Sequence, residues 1–375
     1  ERALNMEVAK TVNGGVFINQ ERYILDAIAK YKGYLQGNLD GVATEHPLNS
    51  SVSPYDSDVR LCKAGAIRRK KYNRSAVQRE PGSANSTVVQ YEGYEDLDSR
   101  IPYRAMLGSL LWLSEGTRPE LKYIVSQLGK YAASPKEAHF KAMKRVFRYL
   151  AGTSDYGILY QSTEKKRDGD RSFFNADMPR GHASWNKPGD NTVGLDGFVD
   201  ADHAGDVDDR RSVTGYVYLM AGGPISWQSR SQTTVALSSM EAEYMSLAAA
   251  TQEAIWWRMI LEELGFSANK PIHLNEDNTS CISFADHPGN HKATKHISTR
   301  YHFIRENVAA GDIVVDPIGT NEQLADIFTK ALPKDKFIQF RNQLVISKAT
   351  LELMVVLKSA DGKYSMVHPN STRAK

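Results

Sequence analysis

Leu195-Asp196-Gly197-Phe198-Val199-Asp200-Ala201-Asp202 and Val213-Thr214-Gly215-Tyr216-Val217-Tyr218-Leu219-Met220 decide the fold. The first carries Leu195, Phe198 and Val199 and ends in acids. The second is rich in β-branched and aromatic residues. Both read as strands. Residues 224–235 read as a third strand, with a hairpin turn at Ala221-Gly222-Gly223. A long helix is expected over 238–264. Ser238 and Ser239 can cap it, Glu241 and Glu243 suit its first turn, and Gly265 stops it. Beyond it the pattern predicts a strand at 272–275 and a helix near 279–285. A helix at about 298–310, a strand near 312–315 and a helix over 322–330 follow. Three strands, a helix, and then alternating strands and helices indicate an α/β layer with a mixed sheet.

Upstream, residues 16–35 read as a strand end and a helix, with Ile24, Leu25, Ile28 and Tyr31 at helical spacing. From about 37 to 93 the chain turns to Gly, Ser, Asn and Pro around the basic run Arg68, Arg69, Lys70, Lys71 and Arg74, which reads as a linker. Helices are expected from Tyr103, over 119–131 and over 135–150. The last has Phe140, Met143, Val146, Phe147 and Leu150 on one face and a basic opposite face. Residues 161–191 read as a polar, Gly-rich loop. The tail after 345 could form a hairpin around Asp361-Gly362.

Composition narrows the function classes. The 375 residues hold 47 Lys plus Arg against 44 Asp plus Glu, so any polyanion preference must come from local clustering. Cys62 and Cys281 are the two cysteines, too few for a disulfide framework or a zinc cluster, which points to a reducing compartment. The most apolar run, 351–357, is too short to span a bilayer. The chain opens at Glu1 with neither an initiator Met nor a signal peptide, so a fragment of a longer intracellular protein is expected.

Asp200 follows a strand, Glu243 opens the long helix, Asp277 follows the strand at 272–275, and Asp326 lies in the helix over 322–330. Acids at strand ends and facing helix starts can converge on one point. Unpaired, they would raise one another's pKa values, and Mg²⁺, which prefers carboxylate oxygens, is the usual remedy. Two such ions can activate a water and stabilise the leaving oxygen of a phosphodiester. Taken singly, each acid reads more readily as a helix cap or a solvated loop residue.

The wording around these acids is more specific. Gly197 to Asp202 with Ala204-Gly205-Asp206, Asp209-Arg210-Arg211-Ser212-Val213-Thr214-Gly215-Tyr216, Ile225-Ser226-Trp227 and the run 234–244 resemble the RNase H domain of copia-type LTR retrotransposon Pol polyproteins. Asp277-Asn278, Thr294-Lys295-His296-Ile297, 300–305 and 322–330 continue that resemblance in order. Gly108 to Leu113, Thr117-Arg118-Pro119-Glu120 and 144–153 resemble the segment joining reverse transcriptase to RNase H, and 20–24 the end of the polymerase region. The polymerase active site is not among the motifs. Val207-Asp208-Asp209 fits a turn rather than a catalytic Tyr-Xaa-Asp-Asp.

The resemblance implies an RNase H-like mixed sheet flanked by helices, preceded by a smaller helical region. It divides the chain into a reverse transcriptase remnant (1–36), a basic linker (37–93), a helical connection region (94–160), an inserted loop (161–190), an RNase H-like domain (191–340) and a tail of unknown role (341–375). It implies hydrolysis of the RNA strand of RNA/DNA hybrids with two Mg²⁺ ions, Mn²⁺ being a possible substitute. Asp200, Glu243, Asp277 and Asp326 fall on the four metal-binding positions, with Glu241 as the competitor for Glu243. The implied partners are the hybrid and the rest of Pol, in a cytoplasmic particle or the nucleus and away from membranes.

Departures from the family pattern include His203, Asn275-Glu276, Ser298 and a loop at 161–191 longer than expected; the His that cellular RNases H carry before the last Asp is also absent, which the family tolerates. They keep open a decayed hybrid-binding module or a structural spacer. From His287 to Arg305 no acid occurs. Lys292, Lys295, His296, Arg300 and Arg305 there, with Tyr301 and Phe303 between the cations, form the expected grip on a hybrid backbone.

Overall fold

In the computed structural model the described residues are 2–11, 14–68, 90–161, 192–268, 271–286 and 298–351. Strands β1 (Asp196–Asp202), β2 (Val213–Met220) and β3 (Gly223–Ser231) form an antiparallel meander. The β2–β3 turn needs only two residues, because Ala221 (φ 52°) and Gly222 (φ 79°) both take left-handed conformations that match strand twist. β4 (Ile272–Glu276) pairs with β1 in parallel, and β5 (Ile313–Pro317) pairs with β4 in parallel. The order β3-β2-β1-β4-β5 is the RNase H-like mixed sheet expected above.

Helix α1 (Ser239–Glu263) crosses one face of this sheet. Its start follows from local chemistry: the Ser238 hydroxyl accepts from the Glu241 amide at 3.1 Å, and the Glu241 carboxylate accepts from the Leu237 amide at 2.8 Å. With α2 (Thr279–Asp286) and α3 (Ser298–Ala309) it encloses Val199, Tyr244, Leu247, Leu274, Cys281 and Ile304.

The opposite face presents Phe198, Val217 and Leu219. It is covered by α4 (Asp326–Thr329), α5 (Lys334–Leu344) and the upstream helices Tyr103–Gly116, Lys122–Gly129 and Glu137–Ala151. The Trp227 indole of β3 donates to the Ser114 carbonyl at 2.8 Å, tying the sheet to the upstream layer. Covered on both faces, β1 is buried at every position but its last, as a central strand of a three-layer α/β unit should be.

Two readings change, and one element is added. The stretch 37–93, read as a linker, holds strands Val59–Cys62 and Gly65–Arg68, joined at Gly65 (φ 127°), with Gln90–Glu92 alongside. Four-residue strands in polar surroundings leave too short a pattern for periodicity to register. The start of the tail is also structured: Ile346–Ser347 closes a sheet with Tyr156–Tyr160, Val16–Asn19, Met6–Lys10 and Arg2–Ala3. The helix expected over 322–330 spans only Asp326–Thr329, because Gln323 serves the sheet instead. Its amide donates to the Val199 carbonyl at 2.9 Å and the Asn275 carbonyl at 3.2 Å, where β1 and β4 part. The loop at 162–191 and the hairpin around Asp361-Gly362 lie outside the described residues.

Candidate metal centre

The parallel ladder between β1 and β4 ends at Phe198 and Asn275. Two residues beyond Phe198 stands Asp200, and Asp277 is the first residue past β4. Both acids therefore emerge at the carboxyl ends of adjacent parallel strands, the usual place for a site in such sheets. Glu243 reaches the same point from α1. One carboxylate oxygen each from Asp200, Glu243 and Asp277 lie within 4.8 Å of one another. Asp200 and Glu243 are buried and Asp277 is half-buried. Glu241, two residues from Glu243, points to the helix start, where it accepts the Leu237 amide.

Asp326 takes a different place. Its Oδ1 lies 2.7 Å from Lys330 Nζ and its Oδ2 lies 2.5 Å from Lys336 Nζ. Lys336 also donates to the Thr320 carbonyl at 3.0 Å. Lys330 Nζ is in turn 3.5 Å from Asp200 Oδ2, and the Thr329 hydroxyl donates to that same oxygen. Asp200 thus faces the acid cluster on one side and a lysine shared with Asp326 on the other.

Electrostatics follow from burial. Desolvation raises the Asp200 carboxyl above its ordinary range, and the charges of Asp326 and Asp277 add to it; Lys330 and the Thr329 hydroxyl oppose the shift. Glu243 is raised first by burial, then by Asp200, Glu276 and Asp277. Glu276, fully buried beside them, is raised chiefly by desolvation. Burial disfavours the Lys330 ammonium, yet Asp200 and Asp326 outweigh it and hold that ammonium above the usual lysine range.

This donor set suits a hard divalent cation. Three carboxylates share one point, and buried Glu243 Oε2 has no hydrogen-bond partner there. An orphaned buried oxygen beside repelling charges is costly unless a cation satisfies it.

The remaining expected residues divide. Lys292, Lys295 and His296 lie outside the described residues. Arg300 is in the first turn of α3, and Arg305 is half-buried further along that helix. Asp208 belongs to a turn, where it accepts the Lys63 amide at 2.9 Å and the Tyr131 hydroxyl at 3.1 Å. Reading the sequence missed Gln323, Thr329, Lys330 and Lys336. One signal was available for Lys330: it follows Asp326 by four residues, the spacing of an ion pair on a helix.

No family model matches the sequence. Over 340 residues the chain is 31% identical to the Retrovirus-related Pol polyprotein from transposon RE1 of Arabidopsis thaliana, covering 91% of this chain and 19% of that protein. Over 246 residues it is 37% identical to the Retrovirus-related Pol polyprotein from transposon RE2 of the same plant, covering 66% of this chain and 15% of the relative. The chain therefore spans less than a fifth of the length of these curated relatives. Among solved structures, the N-terminal RNase H domain of a Mycobacterium tuberculosis protein overlaps 40% of this chain and 97% of its own, at 13% identity and a TM-score of 0.28.

Proposed function

Because this chain belongs to the retrovirus-related Pol polyproteins of transposons, we propose that residues 191–340 are the RNase H-type endoribonuclease of a copia-like Pol, hydrolysing the RNA strand of RNA/DNA hybrids. One observation carries this reading: the convergence of Asp200, Glu243 and Asp277 at the ends of two parallel strands. Those three residues would hold Mg²⁺, with Mn²⁺ as a substitute. When bound, such an ion supplies positive charge that polarises a phosphodiester and makes a nearby water more acidic.

The chain's own groups prepare that point. Thr329 fixes the orientation of Asp200 by donating to Oδ2. Gln323 holds the ends of β1 and β4 together beneath the acids. Asn278 accepts the Cys281 amide at 3.0 Å, and its own amide donates to Glu276 at 3.0 Å, which shapes the loop carrying Asp277. Lys292, Lys295, His296, Arg300 and Arg305 would grip the hybrid backbone through phosphate contacts. Residues 1–36 and 94–160 would be the end of the reverse transcriptase and its connection region, acting with the rest of Pol in a cytoplasmic particle or the nucleus. Among the described residues no helix is long and apolar enough to cross a membrane.

The test is cleavage of a labelled RNA strand annealed to DNA, with Mg²⁺ and with a chelator. Mg²⁺-dependent cutting of the RNA strand alone is expected. Salt-sensitive hybrid binding without cutting would replace this reading with a hybrid-binding module, and neither binding nor cutting with a spacer.

A further inference from the structure

A cleft lies beside the acid centre, and part of its wall comes from the upstream stretch that reads as a linker. Tyr55 and Arg60 stand on that wall, Tyr123 and Gln127 of the helix Lys122–Gly129 face them, and Gly205 and Ala331 complete the lining. Two connections place the cleft next to the centre. Ala331 directly follows Lys330, whose ammonium is 3.5 Å from Asp200. Asp202 stands two residues beyond Asp200 on β1, so the two side chains leave the same face of the strand about 7 Å apart. The Asp202 carboxylate lies against Gly205, where a β-carbon would come within 1.9 Å of Oδ2.

The polar groups of this cleft suit a phosphodiester backbone. Arg60 Nη1 donates to the Gly205 carbonyl at 3.2 Å, a bond that uses one of the five N–H donors of a guanidinium. Burial raises the Tyr123 phenol, Asp202 and Asp206 add to the rise, and Arg60 opposes it. That hydroxyl therefore remains a protonated donor at neutral pH, close to the guanidinium. The Tyr55 hydroxyl, on a residue only 4% exposed, has no hydrogen-bond partner. Asp206, the acid of the lining, is taken up by Lys130 at 2.6 Å and by the Asp208 amide at 2.8 Å, which leaves the Arg60 charge less opposed. The hairpin that carries Arg60 is anchored. The Lys63 amide donates to Asp208 at 2.9 Å, and the Cys62 carbonyl meets His139 Nε2 at 2.9 Å.

We propose that Arg60 and the Tyr123 hydroxyl bind a backbone phosphate of the hybrid next to the phosphate that meets the acid centre. The region upstream of residue 191 then supplies part of the substrate groove. A strand whose phosphate sits at Asp200 would continue past Asp202, where a neighbouring phosphate meets the fork of Arg60. A guanidinium on an anchored hairpin selects that phosphate by geometry as well as by charge. This assignment rests on the hybrid-hydrolase reading above and gives it a contact surface outside residues 191–340.

The test is binding of a fluorescently labelled RNA/DNA hybrid to the full chain in chelator, by anisotropy across a salt series, so that turnover does not enter. Arg60→Gln should weaken binding about tenfold and flatten the salt slope by about one unit. Arg60→Lys keeps the charge and should recover the slope. Tyr123→Phe should weaken binding about threefold with the slope unchanged, because a neutral donor releases no counterion. Arg22→Gln, which removes an equal charge from the helix Glu21–Gln36, should bind as the unaltered chain does. Equal affinity and slope in Arg60→Gln and the unaltered chain, or an equal loss in Arg22→Gln, would overturn the assignment. No hybrid binding by the unaltered chain would instead remove the functional reading on which it rests.

Discussion

A β-carbon on Gly215 would lie 2.5 Å from Cγ2 of Thr329, and Gly215 is the residue that faces Asp200 across the β1–β2 ladder. Glycine at this point lets α4 settle on the sheet and deliver the Thr329 hydroxyl to Asp200. Gly215→Ala must push α4 away, since Phe328 Cβ at 3.0 Å and the Ala325 carbonyl at 3.2 Å block the alternatives. The expected cost is about 1–3 kcal/mol, read as a lower melting temperature. An unchanged melt would show that α4 is not held there.

Gln323→Leu should destabilise the fold by about 1–3 kcal/mol, the cost of leaving buried polar groups without a partner. The amide of Gln323 serves the carbonyls of Val199 and Asn275, and a leucine of similar size cannot. Urea unfolding measures the loss. A variant as stable as the parent would mean that these carbonyls find other donors.

The fully buried ion pair Arg118–Glu120, 2.8 Å apart, anchors the upstream layer. Arg118 also donates to the Thr153 carbonyl at 2.9 Å and the Thr153 hydroxyl at 2.7 Å. Glu120→Ala strands a buried guanidinium and should cost about 3–5 kcal/mol. Replacing both partners with apolar residues should cost less than the single change. Chemical denaturation of the three proteins would show the order, and a double variant weaker than Glu120→Ala would contradict it.

Stability should depend on pH through the acid cluster. Burial and mutual repulsion raise Asp200 and Glu243 above their unfolded values. From about pH 4, where free carboxyls titrate, up to those raised values, the folded chain binds more protons than the unfolded one. Metal-free stability therefore falls as pH rises through that window. In chelator, the unaltered protein should lose several degrees relative to Glu243→Gln between about pH 5 and about pH 8. Added Mg²⁺ should stabilise the unaltered protein more at the higher pH, because the ion prefers ionised carboxylates. Parallel melting curves in chelator would exclude the raised carboxyls.

Much of the fold is legible in the sequence alone. Strands β1 to β5 announce themselves by short runs of apolar, β-branched and aromatic residues and α1 by a Ser238 cap and the Gly265 stop, because each is packed into a continuous core. Of the four acids that the resemblance marks, the structure brings Asp200, Glu243 and Asp277 together; their places at strand ends and a helix start leave each readable as a cap or a solvated residue. The strands Val59–Cys62 and Gly65–Arg68 are not legible, since four residues of alternation cannot outweigh polar flanks. Nor is the contact of Lys330 with Asp200: the four-residue spacing signals its pair with Asp326, but nothing local places the ammonium 3.5 Å from Asp200 as well. Gln323 looks like an ordinary helical residue until the parting of β1 and β4 gives its amide two carbonyls to meet.

Turnover of a labelled RNA/DNA hybrid in Mg²⁺ by the unaltered chain and by Asp200→Asn tests the central claim most directly. Asp200 stands in the acid cluster and also next to Lys330, so removing its charge should lower RNA cleavage on the order of 10³-fold or more, with the melting temperature maintained or raised. Equal Mg²⁺-dependent cleavage by the two proteins would contradict the account.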